Sequence, residues 1–103
     1  MTGMLTTALR NRIRKASGVE LEFALRNIRV NADVRGCSGF VKNTVTGKIV
    51  YVNTEPSPYG PLSDKVLYRT AEHFKDYTGG RNQWGEVDGD EFIHDIVKEL
   101  TRV

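Results

Sequence analysis

Residues 39–55 read GFVKNTVTGKIVYVNTE, and this stretch decides the fold class. Phe40–Lys42 and Lys48–Val52 are β-rich runs on either side of Asn43-Thr44-Val45-Thr46-Gly47. Branched and aromatic side chains suit a pleated, half-buried surface. A glycine near the end of such a connection supplies the left-handed backbone that a tight reversal needs, so the stretch predicts a β-hairpin. Just before it, Gly36 and Gly39 bracket Cys37-Ser38, where the backbone bends or passes close to another segment.

Working outward, Val19, Leu21, Phe23 and Leu25 alternate with other residues, the period of a strand. A rival signal overlaps it: Ser17 and Glu20 form a capping box, and Leu21, Leu25 and Ile28 would line a helix. We read a strand. After Asn27 the alternation continues in the opposite phase through Ile28, Val30, Ala32 and Val34, which predicts a bulge or bend. Residues 53–64, NTEPSPYGPLSD, hold all three prolines and read as a loop, and KVLYRT (65–70) reads as a further strand.

Helical periodicity frames these strands. Leu5, Leu9 and Ile13, with Ala8 beside them, predict a helix over 4–16, with Thr2 as cap and Gly18 as stop. Thr70 is placed to cap a short helix near 70–78, with Glu72 at its start, Tyr77 near its end and a left-handed Gly79 closing it. Asp88 or Asp90 caps a last helix over roughly 90–101, whose stripe is Phe92, Ile93, Ile96, Val97 and Leu100. The expectation is α+β: one domain over 1–103, an antiparallel sheet of about four strands, an N-terminal helix, a short helix near 70–78 and a C-terminal helix.

With 103 residues, 39% apolar and 27% charged, the chain can close one core without disulfides or metal. It has no apolar run near the roughly 20 residues that span a bilayer. MTGMLTTALRNRIRK lacks a signal peptide's order of basic, then apolar, then small residues, and Cys37 is the only cysteine. A cytoplasmic protein with no membrane partner is expected. The net charge of +2 hides a split: residues 1–50 carry nine Lys or Arg against three Asp or Glu, and residues 51–103 carry six against ten. Either the two halves attract one another in the fold, or each offers a face to an oppositely charged partner.

No phosphate-cradling loop, nucleophile elbow or zinc spacing occurs. Cys37, His73 and His94 lack the local context of a thiol–base pair, and EVDGDE (86–91) lacks the ligand spacing and closing glutamate of a calcium loop. We expect no catalytic residue, no metal and no cofactor. Two surfaces remain. Arg10, Arg12, Arg14 and Lys15 form a basic helix face suited to phosphates. The stretch GGRNQW sets Arg81, Asn82, Gln83 and Trp84 side by side after two glycines. A sole tryptophan usually anchors a core, whereas directional polar groups on a loop suit binding. Tyr59, between Pro58 and Gly60, is exposed enough to join that surface.

The order CSGF (37–40), TGKIVYVNTE (46–55), YGPL (59–62), KVLYRTAE (65–72) and DYTGGRNQW (76–84) resembles one of the families called large polyvalent protein-associated domains. These occur in phages and conjugative elements of Gram-positive bacteria. The likeness covers about residues 36–84, roughly half the chain, and is most specific from LYRTA to DYTGGRN. It implies a mobile-element setting and carries no catalytic residue with it. Small free-standing proteins of such elements include anti-CRISPR inhibitors, which occupy a surface of a nuclease.

The resulting expectation is a binding protein that inhibits a host defence protein such as a CRISPR effector nuclease. Arg81, Asn82, Gln83, Trp84 and Tyr59, with the acids Asp88, Asp90, Glu91 and Asp95, would form the contact. The alternative is a nucleic-acid-binding module working through Arg10, Arg12, Arg14 and Lys15, with Arg81 to Trp84 as a second contact. Oligomeric state stays open.

Overall fold

The computed structural model describes residues 3–102, so the expected cap at Thr2 lies outside the described residues. Two helices pack on one face of a five-stranded antiparallel sheet in simple sequential order. The elements are α1 (Thr6–Ser17), β1 (Leu21–Val30), β2 (Asp33–Asn43), β3 (Ile49–Asn53), β4 (Lys65–Ala71), β5 (Gln83–Glu86) and α2 (Glu91–Thr101). The α+β class is as expected, with one strand more than the sequence suggested.

The deciding hairpin forms between β2 and β3, with Val41 opposite Val50 and Phe40 opposite Tyr51. Its turn is stabilised locally: the Asn43 Oδ1 accepts from the Val45 and Thr46 N–H groups, and Gly47 takes φ 80°. The Asn43 amide also donates to the Leu100 carbonyl at 2.9 Å, tying the turn to the end of α2. Strand wins over the capping-box helix at β1, which pairs along its whole length with β2.

The phase slip after Asn27 coincides with a register shift between Ile28 and Arg29. The extra residue is Arg35, on the partner strand. The alternation through Ala32 and Val34 does not belong to one strand. Val30 pairs with Asp33 across a two-residue turn in which Asn31 takes φ 56°, a conformation its short amide side chain tolerates.

Leu9 and Ile13 of α1, Phe92, Ile93, Ile96 and Leu100 of α2, and Val41, Val50, Val52, Val66 and Tyr68 of the sheet make one core. Gly18 ends α1 in the left-handed conformation, its N–H on the Arg14 carbonyl. The start of α1 is satisfied from a distance, by Asn27 Oδ1 of β1 accepting from the Thr6 N–H at 3.2 Å. Asp90 occupies the N-cap position of α2 but makes no side-chain cap; its carboxylate faces Arg12 instead. That pair joins the basic and acidic halves of the chain.

The short helix expected near 70–78 does not form. Thr70 and Ala71 complete β4, and residues 72–80 are a loop built around Asp76. The Asp76 carboxylate accepts from the backbone N–H groups of Glu72, Thr78 and Gly79 at 2.8–3.2 Å. An aspartate that binds nearby N–H groups in this way competes directly with helix. Gly80, not Gly79, is left-handed, and Lys75 takes φ 74°. The loop folds over the sheet's helix-free face, where Phe74 and Tyr77 pack against Phe40, and Tyr77 also against Tyr51. Arg69 stacks on Tyr51 and donates to the Asp76 carbonyl at 2.8 Å, so loop and sheet are fastened together.

The three N–H bonds, chiefly the one from Glu72, hold the Asp76 carboxyl below its ordinary value. A group depressed in the folded state stabilises fully above its unfolded value of about 3.9 and loses that contribution as pH falls through its folded value. Asp76→Asn keeps one acceptor oxygen, replaces the other with a donor and removes the charge. Its melting temperature should therefore lie below wild type at pH 7 and converge on it as pH drops below about 4. Parallel melting curves across that range that stay equally spaced would contradict the assignment.

Candidate functional site

β5 is the element the sequence missed, and it carries the residues singled out for binding. Gln83 and Trp84 lie on the strand, while Arg81 and Asn82 lead into it; all four are exposed. β5 is held by β4, with Leu67 opposite Trp84 and Val66 opposite Gly85. Its inner face has no room for a side chain at position 85. A Cβ there would come within 2.8 Å of the Phe92 Cβ, so Gly85 lets α2 approach the strand.

Trp84 is 57% exposed, which corrects the expectation that a sole tryptophan anchors the core. It points to the helix-free side, the same side as Leu67, and lines a cleft of about 290 Å³ with Lys65, Gly85 and Glu86. Lys65 and Glu86 form an ion pair at the rim. The Val87 N–H bonds the Asp64 carbonyl, which sets the ladder's phase. By the alternation of an antiparallel pair, Gly85 and Gln83 bond inward, while the N–H and C=O groups of Trp84 face outward; at Glu86 the carbonyl is taken by the Gly89 N–H at 3.1 Å. The strand is therefore a free edge, short and capped by charge, as natural edges are.

The acidic set divides. Asp90 pairs with Arg12 at 3.1 Å, and Asp95 accepts from the Tyr68 hydroxyl at 2.6 Å. Burial, then that bond to Asp95, holds the Tyr68 phenol well above its ordinary value, so it remains a donor. Asp88 and Glu91 are exposed and, among the described residues, make no ion pair. Tyr59 is 90% exposed on the proline-rich loop. That loop is anchored by Arg35, which donates to the Gly60 carbonyl, and by buried Glu55, whose Oε2 accepts from the Ser63 N–H at 3.1 Å. Among the described residues no hydrogen bond or aromatic contact joins Tyr59 to residues 81–84.

The basic helix face divides as well. Arg12 donates to the Val87 carbonyl at 3.2 Å and the Gly89 carbonyl at 2.8 Å, and its guanidinium lies 5.0 Å from the Phe92 ring centre. It clamps α1 to the turn before α2, and these contacts occupy its guanidinium. Arg14 lies over the Phe23 ring at 5.0 Å, Arg10 is half-buried, and Lys15 is exposed.

Cys37 sits in the core, where burial pushes its thiol up and a hydrogen bond from Thr54 only partly offsets this. A thiol so placed is poorly suited to act as a nucleophile. Among the described residues neither His73 nor His94 is bonded to it, and no group of three or more His, Cys, Asp or Glu is placed to hold a metal. No helix among the described residues is long and apolar enough to cross a membrane. Comparison with protein-family models, with curated proteins and with solved structures gave no match.

Proposed function

We propose that this protein acts by binding a macromolecular partner without catalysing a reaction, and that the partner is a host defence protein, a CRISPR effector nuclease being the concrete case. The observation that carries the binding reading is Trp84: a large aromatic side chain, 57% exposed, on a free sheet edge flanked by Arg81, Asn82 and Gln83. An exposed Trp beside an Arg is the composition in which interfaces concentrate their energy. The choice of a defence nuclease rests on the resemblance to mobile-element domains and on the neighbouring acids, which suit a basic nucleic-acid channel.

The test adds purified protein to a guide-loaded effector and follows cleavage of target DNA. Cleavage should fall as protein is titrated in, and cleavage unaffected by excess protein would sink the inhibitor reading. Charge reversal belongs at Asp88 and Glu91. Asp90 and Asp95 hold Arg12 and Tyr68, so changing them would damage the fold and confuse the result. The basic-helix alternative is weaker in this geometry, because Arg12 is committed inside the molecule.

A further inference from the structure

The helix-free face of the sheet carries a second concavity, lined by other residues than the Trp84 cleft. A groove of about 270 Å³ lies where the 72–80 loop crosses β1 and β2. Phe40, Phe74 and Tyr77 form its aromatic wall, with Tyr77 60% exposed and its ring 5.4 Å from that of Phe40. Ser38, largely buried, places its side chain in the lining of the groove. The charged residues lining the groove are Arg26 and Lys75, with no carboxylate among them.

We infer that this groove binds one nucleotide of a single-stranded nucleic acid. A base has a flat face for Tyr77 and polar edges for the Ser38 hydroxyl. Each base in a strand is flanked by two phosphates, which matches two cations brought from separate elements, Arg26 from β1 and Lys75 from the loop. A duplex hides the ring face that the aromatic wall requires. Lys75 adds an independent sign. Its φ of 74° is unfavourable for any residue with a Cβ, and Gly in its place would relieve the strain. Strain held at a site of this kind is a reason to look for function there. The Asp76 carboxylate and the Arg69 stack on Tyr51 keep the loop in position, so the groove exists before the ligand arrives.

The experiment follows fluorescence anisotropy of a labelled oligothymidylate as the intact protein is added, over a range of salt. Two phosphate contacts predict a slope of log K against log salt of about −1.4. Tyr77→Ala should weaken binding about tenfold or more, and Tyr77→Phe should retain it. Lys75→Gly should reduce the slope by about 0.7 while raising the melting temperature, which separates loss of the contact from loss of the fold. No binding by the wild-type protein would overturn the inference. So would equal affinity for the same sequence as a duplex, or an affinity lowered by changing Arg10 and Lys15 but not Tyr77. None of these outcomes depends on whether an effector nuclease is inhibited.

Discussion

Gly39→Ala is expected to lower stability by about 3 kcal/mol or more, and the melting temperature by on the order of 15 °C. Gly39 takes φ 146°, a region L side chains rarely adopt. A Cβ there would lie 2.0 Å from the Ala24 carbonyl oxygen and 2.8 Å from the Leu25 Cα. Both obstacles are backbone atoms of β1, which cannot swing aside as a side chain can. β1 must part from β2 over the stretch where Ala24 faces Phe40 and Leu25 faces Gly39. Gly47→Ala is the control: it shares a positive φ, 80°, but has nothing within 4 Å, so it should cost only the backbone strain, about 1 kcal/mol. Thermal unfolding followed by circular dichroism measures both. Equal losses in the two variants would show that strain alone matters and that the close crossing of β1 and β2 does not.

Trp84→Ala is expected to weaken partner binding about 30-fold or more while changing stability by less than about 0.5 kcal/mol. The first number follows from the cost of truncating a central aromatic anchor, about 2 kcal/mol or more. The second follows from exposure: the indole packs outside the core, and Gly85 and Val66 seat β5 against α2 and β4 without it. Binding is measured by titration against the immobilised effector and folding by circular dichroism. The variant removes the only tryptophan, so emission cannot serve as the readout. Unchanged affinity would move the contact away from β5, and a collapsed fold would show that Trp84 is structural after all.

The two predictions differ in how far the sequence alone could support them. Gly36 and Gly39 already marked a bend or close approach around Cys37, and the structure supplies the crossing strand at Gly39. Trp84 read both as a core anchor and as a contact residue, and only the sheet's edge explains its exposure.

Neighbouring residues settle among themselves the part of the fold that was legible before folding. The β2–β3 hairpin follows from two alternating runs and from an asparagine and a glycine within a few residues of each other. The two helices follow from apolar stripes at helical spacing, and the end of α1 from Gly18. Tertiary structure decided everything that depends on a distant partner. Gln83–Glu86 has no alternation worth the name and becomes a strand because β4 offers it an unpaired edge. Residues 72–80 have helix signals, but Arg69 and the rings of Phe40 and Tyr51 hold the loop that Asp76 organises, and this outweighs one turn of local helix. Arg12 looks like a solvent-facing cation until the turn at 87–90, far along the chain, presents carbonyls and a carboxylate to it. Short-range periodicity is written in adjacent residues, whereas the fate of an edge, a loop or a charge depends on which distant group arrives beside it.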